Sequence, residues 1–570
     1  MKTNLIIIGL SALLAFGCGE KKPFADKVII NAAVVTVDDN LPEAEAVAIK
    51  GDTILAVGSN KMIEEFIGES TEKIDARGNL VIPGLIESHA HFIGLGNSKT
   101  ILNLSSAKNW DEIIAMAVEE AQRKKPGEWI IGRGWHQDKW DPVPEPNVNG
   151  YPFNDVLSEA VPRNPVMFTH ASGHAIIANK FAMNLAGIDT SVHDPEGGHI
   201  VRDTTTGKAI GVFEEDAESF ITNVYYKYLN KLSAEKKNKL DRKRFLLAAK
   251  ESLQYGITTF HDAGESFKEI DRFKKYIDEG IPAPRLYVML YEDNPDTLAA
   301  KIKDYKIIGY GGNRLTVRSI KRYMDGALGS RGALMLTPYN DMPDYSGLMV
   351  TPLKSLERDM RIAFDNGFQV CTHAIGDRAN RLTLNLYKKI FGDTVSGNNY
   401  RWRIEHAQHL STYDIPRFAE LGVIAAMQGV HCTSDATFVI PRLGKERARR
   451  GAYVWRKLID SGAVICNGTD APVESVNPFA SFFSSVTRKT KDGIEFFPEQ
   501  KMTRLEALKS YTINGAYAAF EENIKGSITP GKLADIIILN KNIMTVPAWD
   551  IPNAKVLYTI LGGKIVYSVE

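Results

Sequence analysis

Short β-branched runs broken by Asp, Asn and Gly open the chain after residue 26: KVIINAAVVTV, EAVAIK and TILAVG. A second set closes it: ADIIIL, KVLYTI and KIVYS, separated by Lys-Asn and Gly-Gly turns. Runs of this kind predict strands. Neither set alone makes a stable sheet, so together they predict one small β-sandwich built from both termini, residues 27–83 and 525–570. Between them, apolar strand-like runs alternate with helical stretches. That pattern predicts an α/β fold, a parallel (β/α)8 TIM-like barrel over residues 84–524. Its eight strands are expected in VIPGLIESHAH, GITTFHDAG, PRLYVML, TVRSIKRYMDG, FQVCTHAIGD, RWRIEHAQH, GVIAAMQ and AVICNGTDAP. The stretch from about 100 to 250, between the first run and the second, is too long for one βα connection. It predicts an insertion above the barrel mouth, carrying Trp135, His136, His170 and His174. The charged stretch 233–253 reads as a helix with a solvated face.

The first 26 residues follow neither pattern. MKTNLIIIGLSALLAFGC has a lysine and then an apolar core too short to span a bilayer, which predicts a signal peptide over residues 1–17. Ala15-Phe16-Gly17-Cys18 resembles a bacterial lipobox, although it lacks the leucine usual three positions before the cysteine. The resemblance implies cleavage before Cys18, lipidation of its thiol and a polar tether over residues 18–26. The expected location is extracytoplasmic, lipid-anchored to a bacterial membrane and facing the periplasm or the cell exterior. A plain secreted protein is the alternative. The remaining cysteines, Cys371, Cys432 and Cys466, are odd in number and form no disulfide framework.

Composition changes this picture little. Hydrophobic residues make up 44% and charged residues 24%, enough apolar material for a full core. Lys+Arg and Asp+Glu both total 69, so nothing points to nucleic acid, and membrane contact is expected only through the anchor.

Candidate chemistry lies at the C-terminal ends of the barrel strands, where such a barrel builds its active site. His89 and His91 are two apart on a strand, so they share one face. Two imidazoles that close would repel if both were protonated. Neutral rings can instead each give a lone pair to a divalent metal. His-x-His alone is a weak signal. His373, His406 and Asp470 end three further strands and Lys321 lies in a fourth, and their convergence on one mouth predicts a metal site.

Ordered motifs then carry a resemblance: VIPGLIESHAHF, SGHAIIANK, PEGGHIVRD, GITTFHDAG, IKRYMDGALGSRGA, THAIGDRA, RIEHAQ, GTDAPVESVNPF, YTINGAYAAF and GSITPGKLADIIIL. From about residue 27 to the C-terminus the chain resembles the amidohydrolase superfamily, most closely amidohydrolase family 3, which includes N-substituted formamide deformylase-like metal-dependent hydrolases. The resemblance implies that His89 and His91 bind the more buried metal. It implies that Lys321, carboxylated by CO2, bridges two metals, and that His373 and His406 hold the second. Asp470 would be both a ligand and the general base and acid. Two zinc ions are expected, with manganese, iron or cobalt fitting the same ligands. His136 stands where the family more often has an acidic residue.

The implied reaction is hydrolysis of a non-peptide C–N bond in a small-molecule amide, such as an N-acyl or N-formyl amine. A cyclic-amide or ester hydrolase is the nearest alternative. A lipid-anchored protein that binds metal or nutrient without turnover is an alternative of another class. His174, Gln428 and Trp135 are candidate substrate contacts. Lys321 paired with Asp325 is the alternative to a carboxylated lysine. Oligomeric state is not legible.

Overall fold

The structure is a computed structural model that describes residues 23–392 and 399–569; Cys18 and the leader before it lie outside the described residues. The eight expected runs form the strands of a barrel: Leu85–Ala90, Ile257–Glu265, Arg285–Leu290, Leu315–Tyr323, Gln369–Ala374, Arg403–His406, Ile424–Gln428 and Ile465–Gly468. They pair in sequence order, each parallel to the next. They are buried on both faces, which accounts for apolar runs such as LYVML and IAAM within them. The helices between them are amphipathic. Asp377–Phe391, for example, buries Ala379, Leu384, Tyr387 and Ile390, spaced three to five residues apart along one face.

The ladder between the last strand and the first closes at the mouth. Asp470 N donates to His89 O at 2.8 Å, and His91 N donates to Ala471 O at 2.8 Å. Gly468 permits this approach, because any Cβ there would lie 2.7 Å from His89 N. The buried Glu87 carboxylate ties the same seam, accepting from His89 N at 3.0 Å and from Thr469 N at 2.9 Å.

Two sheets pack face to face at the termini, and residues from both ends of the chain fill the layer between them, among them Ile29, Val47, Ile74, Val81, Ile536, Ile538 and Ile560. Ile536–Leu539 pairs antiparallel with Leu80–Pro83. A buried ion pair, Arg285 Nε to Asp535 Oδ2 at 2.7 Å, fastens this sandwich to the third barrel strand.

The insertion is a six-stranded sheet running from Leu102–Asn103 to Ala209–Glu215, with apolar clusters on both faces. It ends earlier than the spacing alone suggests. The helix Ala234–Gln254 belongs to the barrel, because Phe245, Ala248 and Ala249 pack with Phe92 and Phe273 in the main core. Among the described residues, no helix is long and apolar enough to cross a membrane.

Candidate active site

Six side chains from five strand ends meet at the barrel mouth. His91 Nε2 lies 3.4 Å from Asp470 Oδ1, and His89 Nε2 lies 3.7 Å from the same oxygen. Lys321 Nζ is 3.5 Å from His89 Nε2. The ring of His406 is 4.7 Å from that of His89 and 4.5 Å from that of His373. The seam of the barrel therefore delivers His89, His91 and Asp470 together, while the fourth, fifth and sixth strands deliver Lys321, His373 and His406.

Two of the imidazoles, His89 and His406, are oriented from behind. His89 Nδ1 donates to Glu405 Oε2, a fully buried carboxylate. Glu405 is in turn gripped by Arg403, through Nε at 2.7 Å and Nη2 at 2.9 Å. His406 Nδ1 donates to Gln428 Oε1 at 2.9 Å. With Nδ1 protonated in both rings, each Nε2 lone pair faces the cluster, the arrangement a metal-ligating histidine needs. Burial holds His89 neutral, pulling it down to about 4, with the Lys321 charge adding to the effect. Burial also keeps His373 and His406 well below the ordinary histidine range. Asp470 is the opposite case. Burial raises its carboxyl, but His91, 3.4 Å from Oδ1, together with His89 and His406 holds it well below the usual carboxylate range.

Several features fit a divalent metal. Asp470 Oδ1 and His373 Nε2 are buried and have no hydrogen-bond partner, a costly state for polar atoms without a ligand. Nitrogen and oxygen ligands held about 2.0–2.2 Å from one ion sit about 3–4 Å apart, as Asp470 does from both His89 and His91. Lys321 is 1% exposed, and its nitrogen faces His89 and the Tyr323 ring rather than a carboxylate. A lone buried ammonium there would be very unfavourable, and burial lowers its pKa accordingly. The Lys321–Asp325 pairing does not form. Asp325 instead accepts backbone N–H bonds from Leu334, Ile375 and Gly376 at 2.8–2.9 Å.

The backbone at the site is unusual. His406 and Asp470 adopt φ of +75° and +58°, a region L-residues rarely occupy and one that recurs at functional sites.

The candidate substrate contacts separate. His174 does stand over the mouth, its ring 6.2 Å from that of His373. Its Nδ1 donates to Glu215 Oε2 at 2.9 Å. Burial pulls His174 down, but Glu215, Glu218 and Asp470 outweigh it and hold the imidazolium up to about 9. Trp135 does not line the site. It is buried in the insertion core, where its indole N–H donates to Phe168 O at 2.8 Å. Gln428 is committed to His406 rather than to a ligand. His136 packs on His170, ring to ring at 4.5 Å.

Glu405, Arg403 and His431 were not legible as site residues. Glu405 adjoins His406 in RIEHAQ, yet only the barrel brings it to His89. His431 Nδ1 accepts from Gln408 Nε2 at 3.0 Å, so its buried Nε2 carries the proton and has no acceptor. His431, His406 and Asp470 place ligand atoms within 4.8 Å of one another, which leaves His431 as a donor beside the cluster.

Relatives bear on this arrangement. Residues 72–567 match the profile described as "Amidohydrolase family". The chain is 32% identical to Protein LONG AFTER FAR-RED 3 of Arabidopsis thaliana, over 95% of this chain and 92% of that protein. It is 26% identical to N-substituted formamide deformylase of Arthrobacter pascens, over 95% and 98%. Its fold matches the crystal structure of an uncharacterized metal-dependent hydrolase from Pyrococcus horikoshii OT3 with a TM-score of 0.73 and 24% identity, covering 92% of this chain and 99% of that one. With a family match over residues 72–567 and a barrel whose strand ends gather four histidines, a lysine and an aspartate, the chain belongs to the amidohydrolase superfamily, in amidohydrolase family 3.

Proposed function

We propose that the protein hydrolyses the C–N bond of a small-molecule, non-peptide amide, an N-acyl or N-formyl amine, with Asp470 as the proton carrier. The observation that carries this reading is Asp470 Oδ1: buried, ionised, without a hydrogen-bond partner, and within 3.4–3.7 Å of two imidazole nitrogens. His89, His91 and Asp470 would hold one metal, His373 and His406 a second, with Lys321 between them as a CO2-derived carbamate. Bound there, zinc or a similar ion would supply an acidified water and a Lewis-acid contact. Asp470 takes the proton from the attacking water and returns it to the departing nitrogen, so that water and amide give acid and amine. His431 Nε2–H and the His174 imidazolium face the same space and can donate to the carbonyl oxygen as charge develops on it. His174 stays cationic because Glu215 pairs with it.

Support for an amide rather than a generic substrate comes from the deformylase relative, whose name states its reaction class. The leader sequence supports lipid attachment at Cys18 and an extracytoplasmic location. The test is a panel of N-formyl, N-acetyl and cyclic amides, assayed with wild type and Asp470→Asn alongside metal analysis. Turnover of open-chain amides, lowered about 10²–10⁴-fold by the substitution, is the expected result. Turnover that survives Asp470→Asn unchanged would remove Asp470 from the reaction.

A further inference from the structure

Arg133 lies in the roof over the barrel mouth, and its position is built rather than incidental. The strand Ile130–Trp135 pairs with Val166–His170, and its register slips between Arg133 and Trp135. The extra residue is Gly134, at φ +109°. Without that bulge, Arg133 and Trp135 would share one face. With it, Trp135 turns into the insertion core, and Arg133 stays on the opposite side, beneath the loop from Ala171 to His174. Gly173 makes room, because a Cβ there would sit 3.2 Å from the guanidinium Nη2.

The half-buried guanidinium is poorly satisfied. Nη2 donates to Ala171 O at 3.1 Å. Nε is buried with no partner, and Arg133 makes no ion pair among the described residues. A half-buried guanidinium whose Nε is shut off from solvent normally has a counter-ion. The carboxylate that acts on it most strongly is Asp470, the reaction-centre residue itself, followed by Glu218. Neither neutralises it by contact. Burial raises Glu218 to about 8, so it is mainly protonated at neutral pH, and its Oε1 is also without a partner. Glu215 is taken by His174. Among the described residues, the roof therefore holds Arg133 with no carboxylate in contact with it.

We propose that Arg133 is a specificity-determining residue that pairs with a carboxylate carried by the substrate. The substrate is then a small amide bearing a free carboxylate, on either side of the scissile bond. Only the word "amide" rests on the function proposed above; the carboxylate subsite stands on the roof residues. A guanidinium presents its N–H groups in a fork that matches carboxylate geometry.

The test uses matched acid and alcohol pairs on the full-length, metal-loaded protein. N-formylphenylalanine is compared with N-formylphenylalaninol, which places the charge on the amine side. N-benzylsuccinamic acid is compared with N-benzyl-4-hydroxybutyramide, which places it on the acyl side. In parallel, calorimetry compares binding of 3-phenylpropionate and 3-phenylpropanol, which have no amide bond. The expected result is an acid preference of about tenfold or more in kcat/KM for at least one pair, and in binding. That preference collapses towards unity in Arg133→Gln and is partly kept in Arg133→Lys. Equal treatment of acid and alcohol by wild type overturns the proposal without reference to any variant. So does a preference that persists in a folded Arg133→Gln protein. If no amide is turned over but 3-phenylpropionate still binds through Arg133, the subsite stands and the amide-hydrolase reading fails.

Discussion

Replacing Glu405 by Gln tests the logic of the site most directly. Glu405 and Arg403 are both fully buried, joined by two hydrogen bonds of 2.7 and 2.9 Å, and Glu405 also accepts from His89 Nδ1. The substitution preserves volume and removes the charge. It leaves the Arg403 guanidinium with only neutral partners: Ser88 O, His261 Nδ1 and the new amide oxygen. Breaking one side of such a buried pair costs about 3–5 kcal/mol. A chain of this size unfolds with an entropy of about 1.2 kcal/mol/K, taking about 2.1 cal/mol/K per residue, so the melting temperature falls by only about 3–4 °C. Metal affinity is the more sensitive readout. A Gln can present an N–H to His89 Nδ1, favouring the tautomer whose Nε2 carries the proton and cannot ligate. Loss of such an orienting partner costs about 10–100-fold in metal affinity. Competition against a chelator of known zinc affinity measures it. The double variant Arg403→Met/Glu405→Gln separates the two effects, because removing both charges should recover part of the stability but none of the metal affinity. Metal affinity within twofold of wild type in Glu405→Gln would refute the reasoning that Glu405 sets the His89 tautomer.

Four further outcomes are expected, three from the same geometry and one from the leader sequence. Lys321→Ala should lower metal content and activity together, and wild type incubated with 13C-bicarbonate should show a carbamate carbon resonance that the variant lacks. Chelation should abolish turnover, and zinc, manganese or cobalt should restore it to different extents; unchanged turnover in fully stripped protein would contradict a metal-dependent reaction. Glu215→Gln should lower the titration midpoint of His174 from about 9. Because that pKa is raised in the folded state, the stabilisation from the His174–Glu215 pair is fully present below about 6.5 and is lost as pH rises through 9. The stability advantage of wild type over the variant, measured by denaturant melts across pH, should therefore shrink in that window. Cys18→Ala should abolish incorporation of a fatty-acid analogue into the protein; labelling that persists would place any lipid elsewhere.

The strands were legible because their signal is local. A barrel strand such as Ile424–Gln428 is short and apolar at every position before its terminal Gln428, and its neighbours are separated by helical periodicity. The ends of the insertion were less legible. Residues 234–254 are so charged that their packing stripe, Phe245 with Ala248 and Ala249, is easily taken for part of a solvated helix outside the barrel. Trp135 shows the same limit from the other side. A tryptophan beside His136 reads as a pocket wall, but a one-residue bulge at Gly134 turns it inward and leaves Arg133 facing the mouth.

Sequence by itself determined the eight strands, the two-ended sandwich, and the six polar strand-end residues. These depend on residue type and spacing along one segment. Only the tertiary structure decided which lone pairs face inward, that Asp325 is occupied by backbone N–H groups, that Glu405 serves His89, and that Arg133 lacks a counter-ion. Each of those is a relation between groups from distant segments, fixed by where closure of the barrel and docking of the insertion bring them, and no local pattern encodes it.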